Sequence, residues 1–440
     1  MVRLSGMDAL SLHTETARLP AHIVAVIVIE ASDRLSHQRL HTLVASSLPG
    51  LARFRSRLVG KPFGLGQPVW AEIDDFNPSR QLRRIAVPAP GDQDDLAELI
   101  AKLTTRPLHR HLPLWQAWSI EGLDGGRWAL ALKMSPATTQ GISGVASVLS
   151  RLLAVDPDDN VGDHLPVEQG LGKEPSMAGL VADTAVELVG NQLAGVRVLG
   201  TALPGALRAA VDRLRGVDAR DGVPVPRTAF NEPLTEQRAV AFASIPLADI
   251  DAVRDRFGVG GPEVFLAACT WSVRTWLQRR DIVPDHPLLM QTPLPGGLSF
   301  GHARLPVQLD NPVQVLTELH VESGSPASDI AKFAELVAPG VVHSGMELYS
   351  WLKLARRLPP MAHGLVAHLP GPGTRVYCAG AEVAGLYVVA PLLEGAGLNI
   401  TAVAHGEAMD VAVCVCPDNV PGVDAIARGV VDAVAQLRSE

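Results

Sequence analysis

Apolar residues recur in two rhythms along this 440-residue chain. After a turn-rich opening stretch, the run Ile23-Val24-Ala25-Val26-Ile27-Val28-Ile29, closed by Glu30, is unbroken and β-branched, which predicts a strand buried on both faces. The spacing then becomes helical: Ser36 stands as a cap ahead of Leu40, Leu43, Val44 and Leu48, and Pro49-Gly50 stops the helix. An acidic first turn and apolar spacing predict a second helix from Asp92 to Leu103. Pro113 to Ile120 and Arg127 to Met134 read as the strands of a hairpin turned by Gly125-Gly126. Ser135 to Gly144 reads as a loop entering a helix from Ile142 to Leu153. Residues at such a strand-to-helix junction sit at an interior edge, where sites often lie.

Asp156 to Pro175 is polar and rich in Asp, Gly and Pro, the composition of a linker. Ser176 to Leu214 is helical in pattern, with Leu180, Val181, Thr184, Leu188 and Val196 on one face. Its mixed charge, without a basic face, fits a packing helix between domains better than a membrane-surface helix. Beyond a break at Gly216 to Pro226, strand and helix alternate: Ala239 to Ile245, Leu247 to Arg256, Pro262 to Arg279 and Pro287 to Pro293. Three or four strands follow between Arg375 and Cys416, and Val423 to Leu437 closes the chain as a helix. The expected organisation is α+β in two domains, residues 1–175 and 227–440, joined by a helical linker over 176–226.

Composition narrows the function classes. Hydrophobic residues make up 47% of the chain and charged residues 19%, enough to build a large core. With 38 Lys and Arg against 46 Asp and Glu there is no basic footprint for nucleic acid. Cys269, Cys378, Cys414 and Cys416 lack disulfide or zinc spacing and read as reduced and buried, so no metal is expected. The N-terminal stretch lacks the order of a signal peptide, and seven apolar residues from Ile23 fall short of a bilayer span. A cytoplasmic protein, soluble or peripheral to membranes or lipid droplets, is the expectation.

Several segments carry a resemblance together. Met7-Asp8-Ala9-Leu10, Glu15-Thr16, Pro20-Ala21-His22-Ile23 and Pro62-Phe63-Gly64-Leu65-Gly66-Gln67-Pro68-Val69-Trp70 come first. Arg106-Pro107-Leu108, Arg110, Pro113-Leu114-Trp115, Glu121-Gly122-Leu123 and the strand Trp128 to Lys133 follow. In the carboxyl half stand Leu369-Pro370-Gly371-Pro372, Tyr377, Gly380-Ala381 and Gly397-Leu398-Asn399-Ile400. These segments resemble the wax ester synthase/acyl-CoA:diacylglycerol acyltransferase family of actinobacteria over nearly the whole chain. The resemblance implies a two-domain, chloramphenicol-acetyltransferase-like fold of the CoA-dependent acyltransferases, with an interdomain tunnel. It implies acyl-CoA as cosubstrate rather than a bound cofactor, and diacylglycerol or a long-chain alcohol as acceptor. The family's His-His-x-x-x-Asp-Gly motif supplies an imidazole that takes the alcohol proton, because a neutral alcohol is a weak nucleophile.

At the corresponding place this chain reads Ser135-Pro136-Ala137-Thr138-Thr139-Gln140-Gly141. By that alignment Ser135 and Pro136 replace the histidines, Gln140 replaces the aspartate, and Gly141 alone is kept. Gly261-Pro262-Glu263-Val264, Thr292-Pro293-Leu294-Pro295-Gly296-Gly297 and Phe300-Gly301-His302 also depart from the family pattern. His368, where the family usually has Asn, is a candidate substitute base from the second domain; the competing reading is an ordinary loop histidine. Ser135 as a covalent nucleophile has no base adjacent in sequence. His109 and His111 are expected in solvent. Arg53, Arg55 and Arg57 read either as alternating residues on a strand edge with acidic neighbours or as a cluster for CoA phosphates. Three functions stay open: a feeble acyl-CoA-dependent O-acyltransferase, a non-catalytic relative that binds acyl chains or regulates a partner acyltransferase, and a structural or interaction protein with no lipid ligand. They separate on whether Val145, Val148 and Leu149 line an open channel or fill it.

Overall fold

The computed structural model describes residues 2–4, 6–16, 18–62, 66–159, 166–187, 225–280, 282–293, 300–319, 321–322, 356 and 359–440. Two mixed sheets carry the molecule. The first runs, edge to edge, Tyr377–Cys378, Ala381–Val389, Ile23–Ile29, Trp128–Met134, Trp115–Glu121 and Leu82–Ala86. The second runs Val321–Glu322, Phe300–Leu305, Leu288–Pro293, Gly364–Leu369, Leu398–His405, Ala408–Val415 and Ala239–Pro246. A small sheet of Val2–Arg3, Val69–Glu72 and Ser56–Val59 flanks the first.

The β-branched run is the centre of the first sheet, buried at every position. Ile23, Ala25, Ile27 and Ile29 face one core with Met134, Ile142 and Val145. Val24, Val26 and Val28 face another with Ile100 and Trp118. Alternation along a strand divides the two sets. Asp92 caps the helix Gln93–Thr105 in a capping box with Asp95, and Ser36 caps His37–Ser47. Helices Gly261–Gln278 and Val423–Ser439 cover the outer face of the second sheet. They pack closely because Gly429 has no side chain: a methyl there would come within 2.6 Å of Ser272 Oγ.

The chain departs from the sequence expectations in four places. Gly6–His13, expected as turns, is a helix. The helix expected from Ile142 to Leu153 is a 3-10 turn, Ile142–Gly144, and one short helix, Val145–Leu149. Residues 166–175 are not a free linker: Glu168 N donates to Gly50 O at 2.8 Å and Glu72 N to Gly172 O at 2.9 Å, so the stretch lies along the small sheet. The boundary near 226 does not separate the sheets, because Ala381–Val389 crosses from the carboxyl half and pairs antiparallel with Ile23–Ile29. Residues 177–187 are helical; 188–224, with Leu188 and Val196, lie outside the described residues. The helix is pinned to the small sheet by Lys61, whose Nζ lies 2.6 Å from Asp183 Oδ2 and also pairs with Glu187.

Candidate active site

The strand Trp128–Met134 delivers the chain into a tight turn. Ser135 N donates to Leu114 O at 2.9 Å. Ser135 Oγ accepts from Ala137 N at 3.3 Å, capping a single helical turn, Pro136–Thr139, with proline at its first position. Thr138 Oγ1 also donates to Leu114 O, at 3.3 Å. The turn ends with Gln140 at φ 58° and Gly141 at φ 86°. The left-handed region is costly for most residues and tolerated best by Gly or a polar side chain; the Gln140 side chain points into solvent, being exposed. Gly144 allows the next turn to close, since a Cβ there would lie 1.6 Å from Thr139 O. The Ala137 carbonyl is held by Arg53 Nη1 at 2.5 Å, and the same nitrogen reaches Asp8 Oδ2 at 2.8 Å.

No side chain from Ser135 to Gly144 is an acid or base near neutrality. The nearest imidazole in the sheet register is His22, one residue beyond the Ile23 and Met134 pair. His22 is buried; its Nε2 accepts from Leu108 N at 3.2 Å and lies 3.2 Å from Glu15 Oε1. Burial, reinforced by the Lys133 charge, pulls its pKa down to about 3. Burial raises the Glu15 carboxyl above its ordinary range. It lowers the Lys133 ammonium to about 8. Lys133 Nζ donates to Leu103 O at 3.0 Å and Arg106 O at 2.5 Å, so this cation caps the end of the helix Gln93–Thr105. These groups hold the scaffold behind the turn.

The other expected residues are placed as follows. His368 stands on the face of its strand shared with Val366, 6.2 Å ring to ring from Phe265. Ala367 and Leu369 face the opposite way, into the core that holds Ile142 and Val145, so the structure does not bring His368 to the turn. His109 and His111 are exposed. Arg53, Arg55 and Arg57 each meet a carboxylate: Asp8 at 2.8 Å, Glu72 at 2.7 Å and Glu174 at 2.5 Å. Arg53 and Arg55 lie on a 3-10 turn, Ala52–Arg55, rather than on a strand. Val145, Val148 and Leu149 are 0%, 2% and 5% exposed and pack among the interdomain core side chains. They fill the space behind the turn. Pro262 opens the helix Gly261–Gln278; Gly301 pairs with Thr292 and Phe300 with Pro293 across the adjacent strands, while 294–297 lie outside the described residues. Asn399, from the second signature region, accepts from Leu365 N at 3.0 Å and donates to Pro391 O, linking two strands of the second sheet to the segment that follows Ala381–Val389. All four cysteines are free and buried.

Another polar cluster escapes a reading by apolar rhythm. Ser119 Oγ lies 2.6 Å from His37 Nδ1 and 3.0 Å from His41 Nε2, and His37 Nε2 lies 3.3 Å from Glu121 Oε1. The signal was the four-residue spacing of His37 and His41 on one helix face. Ser119 is fully buried between helix and sheet, closed to any substrate. Among the described residues no group of three or more His, Cys, Asp or Glu side chains is arranged to hold a metal ion.

A family model described as the wax ester synthase/diacylglycerol acyltransferase catalytic domain matches residues 4–262, and one described as the WS/DGAT C-terminal domain matches 297–438. The chain belongs to this family. A putative diacylglycerol O-acyltransferase of Mycobacterium tuberculosis (strain CDC 1551) is 29% identical over 99% of this chain and 90% of its own length. The probable diacylglycerol O-acyltransferase tgs1 of the same organism is 30% identical over 99% of this chain and 96% of its own. Among solved structures, the wax ester synthase/diacylglycerol acyltransferase of Marinobacter aquaeolei VT8 superposes with a TM-score of 0.71 at 22% identity, covering 99% of this chain and 98% of that one. The first condensation domain of the calcium-dependent antibiotic synthetase gives 0.55 at 15% identity, covering 100% and 96%. The fold is thereby that of the WS/DGAT structure, and it is similar to the fold of the condensation domain.

Proposed function

We propose that this WS/DGAT-family chain serves triacylglycerol or wax-ester metabolism as an acyl-CoA-dependent O-acyltransferase whose own turnover is at best weak. The carrying observation is the turn Ser135–Gly141, which offers no side chain able to take a proton. In the transfer, the acceptor oxygen bonds to the thioester carbonyl carbon, the carbon–sulfur bond breaks, and the acceptor's proton ends on the thiol of CoA. A general base for that proton contributes about 10²- to 10⁴-fold in rate. Ser135 cannot serve readily, since its hydroxyl caps the turn. The family relationship suggests acyl-CoA with diacylglycerol or a long-chain alcohol as substrates. No helix among the described residues is long and apolar enough to cross a membrane; we place the protein in the cytoplasm, meeting membranes or lipid droplets peripherally.

The same turn, with no side chain able to take a proton, favours a second reading, a non-catalytic relative that binds acyl chains or regulates a partner acyltransferase. One experiment separates the two. Purified protein is given radiolabelled long-chain acyl-CoA with diacylglycerol or a long-chain alcohol, beside His368→Ala and a blank without protein. Transfer above the blank, unchanged in His368→Ala, supports weak catalysis by proximity. A fall in that variant would mean a relocated base at His368. Acyl-CoA bound without transfer supports the non-catalytic relative as an acyl-chain binder, and neither binding nor transfer overturns the catalytic and the acyl-binding readings.

A further inference from the structure

We propose that Arg53 is the positioning residue of the Ser135–Gly141 turn, aiming whatever side chain stands at position 136; the proposal rests on assigning the family motif to this turn. Four segments far apart in sequence converge on one guanidinium. Arg53, from the turn Ala52–Arg55, donates through Nη1 to Ala137 O and to Asp8 Oδ2. Asp8 comes from the helix Gly6–His13 and is buried. The guanidinium carbon lies 5.5 Å from the ring centre of Trp70, on the small sheet. The Arg53 backbone is itself fixed, because the neighbouring Phe54 carbonyl accepts from Trp115 Nε1 at 2.7 Å.

A half-buried guanidinium paired with the fully buried Asp8 is a costly way to hold one carbonyl if tethering were all that mattered, since desolvating the ion pair offsets much of its attraction. The two N–H bonds of the planar Nη1, one to each acceptor, fix direction as well as distance. Position 136 immediately precedes Ala137, and both belong to a single helical turn closed by Thr138 N to Ser135 O at 2.9 Å and Gly141 N to Pro136 O at 2.8 Å. Fixing the Ala137 carbonyl therefore fixes the direction of the Cα–Cβ bond at 136. Misplacement by about 1 Å can cost about a hundredfold in rate, which is the margin such a clamp would protect.

Two measurements test this. Hydrogen exchange is followed in the wild-type chain and in Arg53→Lys and Arg53→Met. Amides of Thr138, Thr139 and Gly141 should exchange about tenfold faster in both variants while the strand Leu398–His405 keeps its protection. Unchanged exchange in the turn overturns the proposal; so does equal loosening of turn and strand, which a merely structural residue would give. Arg53→Lys retains a cation for Asp8 and serves if Arg53→Met fails to fold. In the background Ser135→His, Pro136→His, Gln140→Asp, Arg53→Lys should lower kcat about tenfold or more and leave KM for acyl-CoA unchanged. An unchanged kcat overturns the proposal. If that background transfers no acyl group with Arg53 intact, the assignment of the motif to this turn fails, and the exchange measurement still decides the clamp.

Discussion

Asp410 Oδ2 accepts the backbone N–H of Leu386 at 2.7 Å, so a carboxylate on one sheet holds the main chain of a strand in the other. The same oxygen lies 2.9 Å from His405 Nδ1. Nearby, Thr401 Oγ1 donates to Val388 O. Side chains of the second sheet thus serve backbone groups of the crossing strand beyond Ala381 and Glu382, the residues that pair with Tyr377–Cys378. Asp410→Ala leaves a buried N–H and an imidazole without their acceptor and should cost about 2 to 4 kcal/mol, read from the urea midpoint. Asp410→Asn keeps an acceptor oxygen and should lose less; equal losses would show that the bond to Leu386 contributes nothing.

Restoring the family motif should restore chemistry. Ser135→His, Pro136→His and Gln140→Asp together supply a base on a turn already closed, and transfer should rise about 10²-fold or more over wild type. The left-handed Gln140 position accepts Asp without new strain. No gain would mean that the filled space behind the turn, at Val145, Val148 and Leu149, excludes the acyl chain.

Acid should weaken the protein through its buried imidazoles. His363 Nδ1 accepts from Leu289 N at 3.0 Å, its Nε2 lies 2.8 Å from Pro226 O, and burial lowers its pKa from 6.5 to about 4. The folded chain binds this proton less readily than the unfolded one. Stability is therefore full above pH 6.5 and falls as pH drops toward 4, by on the order of 3 kcal/mol for this group. His22 adds the same sign down to about pH 3. Glu394, raised by burial to about 7, acts oppositely between pH 4.5 and 7. Urea midpoints at pH 7, 5.5 and 4 should fall less steeply in His363→Gln than in wild type; parallel slopes would count against this account.

Much of the fold is legible where one local cause suffices. The β-branched run at Ile23, the Ser36 and Asp92 caps and the glycine hairpin at 125–126 need no distant partner. What stays hidden depends on remote contacts. Gly6–His13 is helical because Ala9 and Leu12 pack with Trp70 and Ala137, which only the folded chain assembles. The partners of Arg53, Arg55 and Arg57 are 45, 17 and 117 residues away, so alternation alone could not separate ion pairs from an anion site. The turn at Ser135 was placed by its strand and following glycines. The direction of His368 followed from strand alternation only once the register was known.

Lys133→Met should destabilise the first sheet by about 2 to 4 kcal/mol, because it strips the cap from the helix Gln93–Thr105 and removes one of the cations that face Glu15, leaving Arg110. With Lys133 present, its lowered pKa means that stability rises with pH from about 8 to 10.5. Melting in this alkaline window should lose that rise in the variant.

The crossing of Ala381–Val389 into the first sheet also sets an order of events during synthesis. Until residue 389 has left the ribosome, Ile23–Ile29 has only one neighbouring strand, and its other edge offers seven apolar residues without a charge or a proline. Nearly nine-tenths of the polypeptide must therefore be made before its earliest long strand is covered. Chains arrested short of that point expose a nucleus for aggregation, so the amino-terminal half made alone should collect in insoluble aggregates, and a co-produced fragment bearing Ala381–Val389 should return part of it to solution.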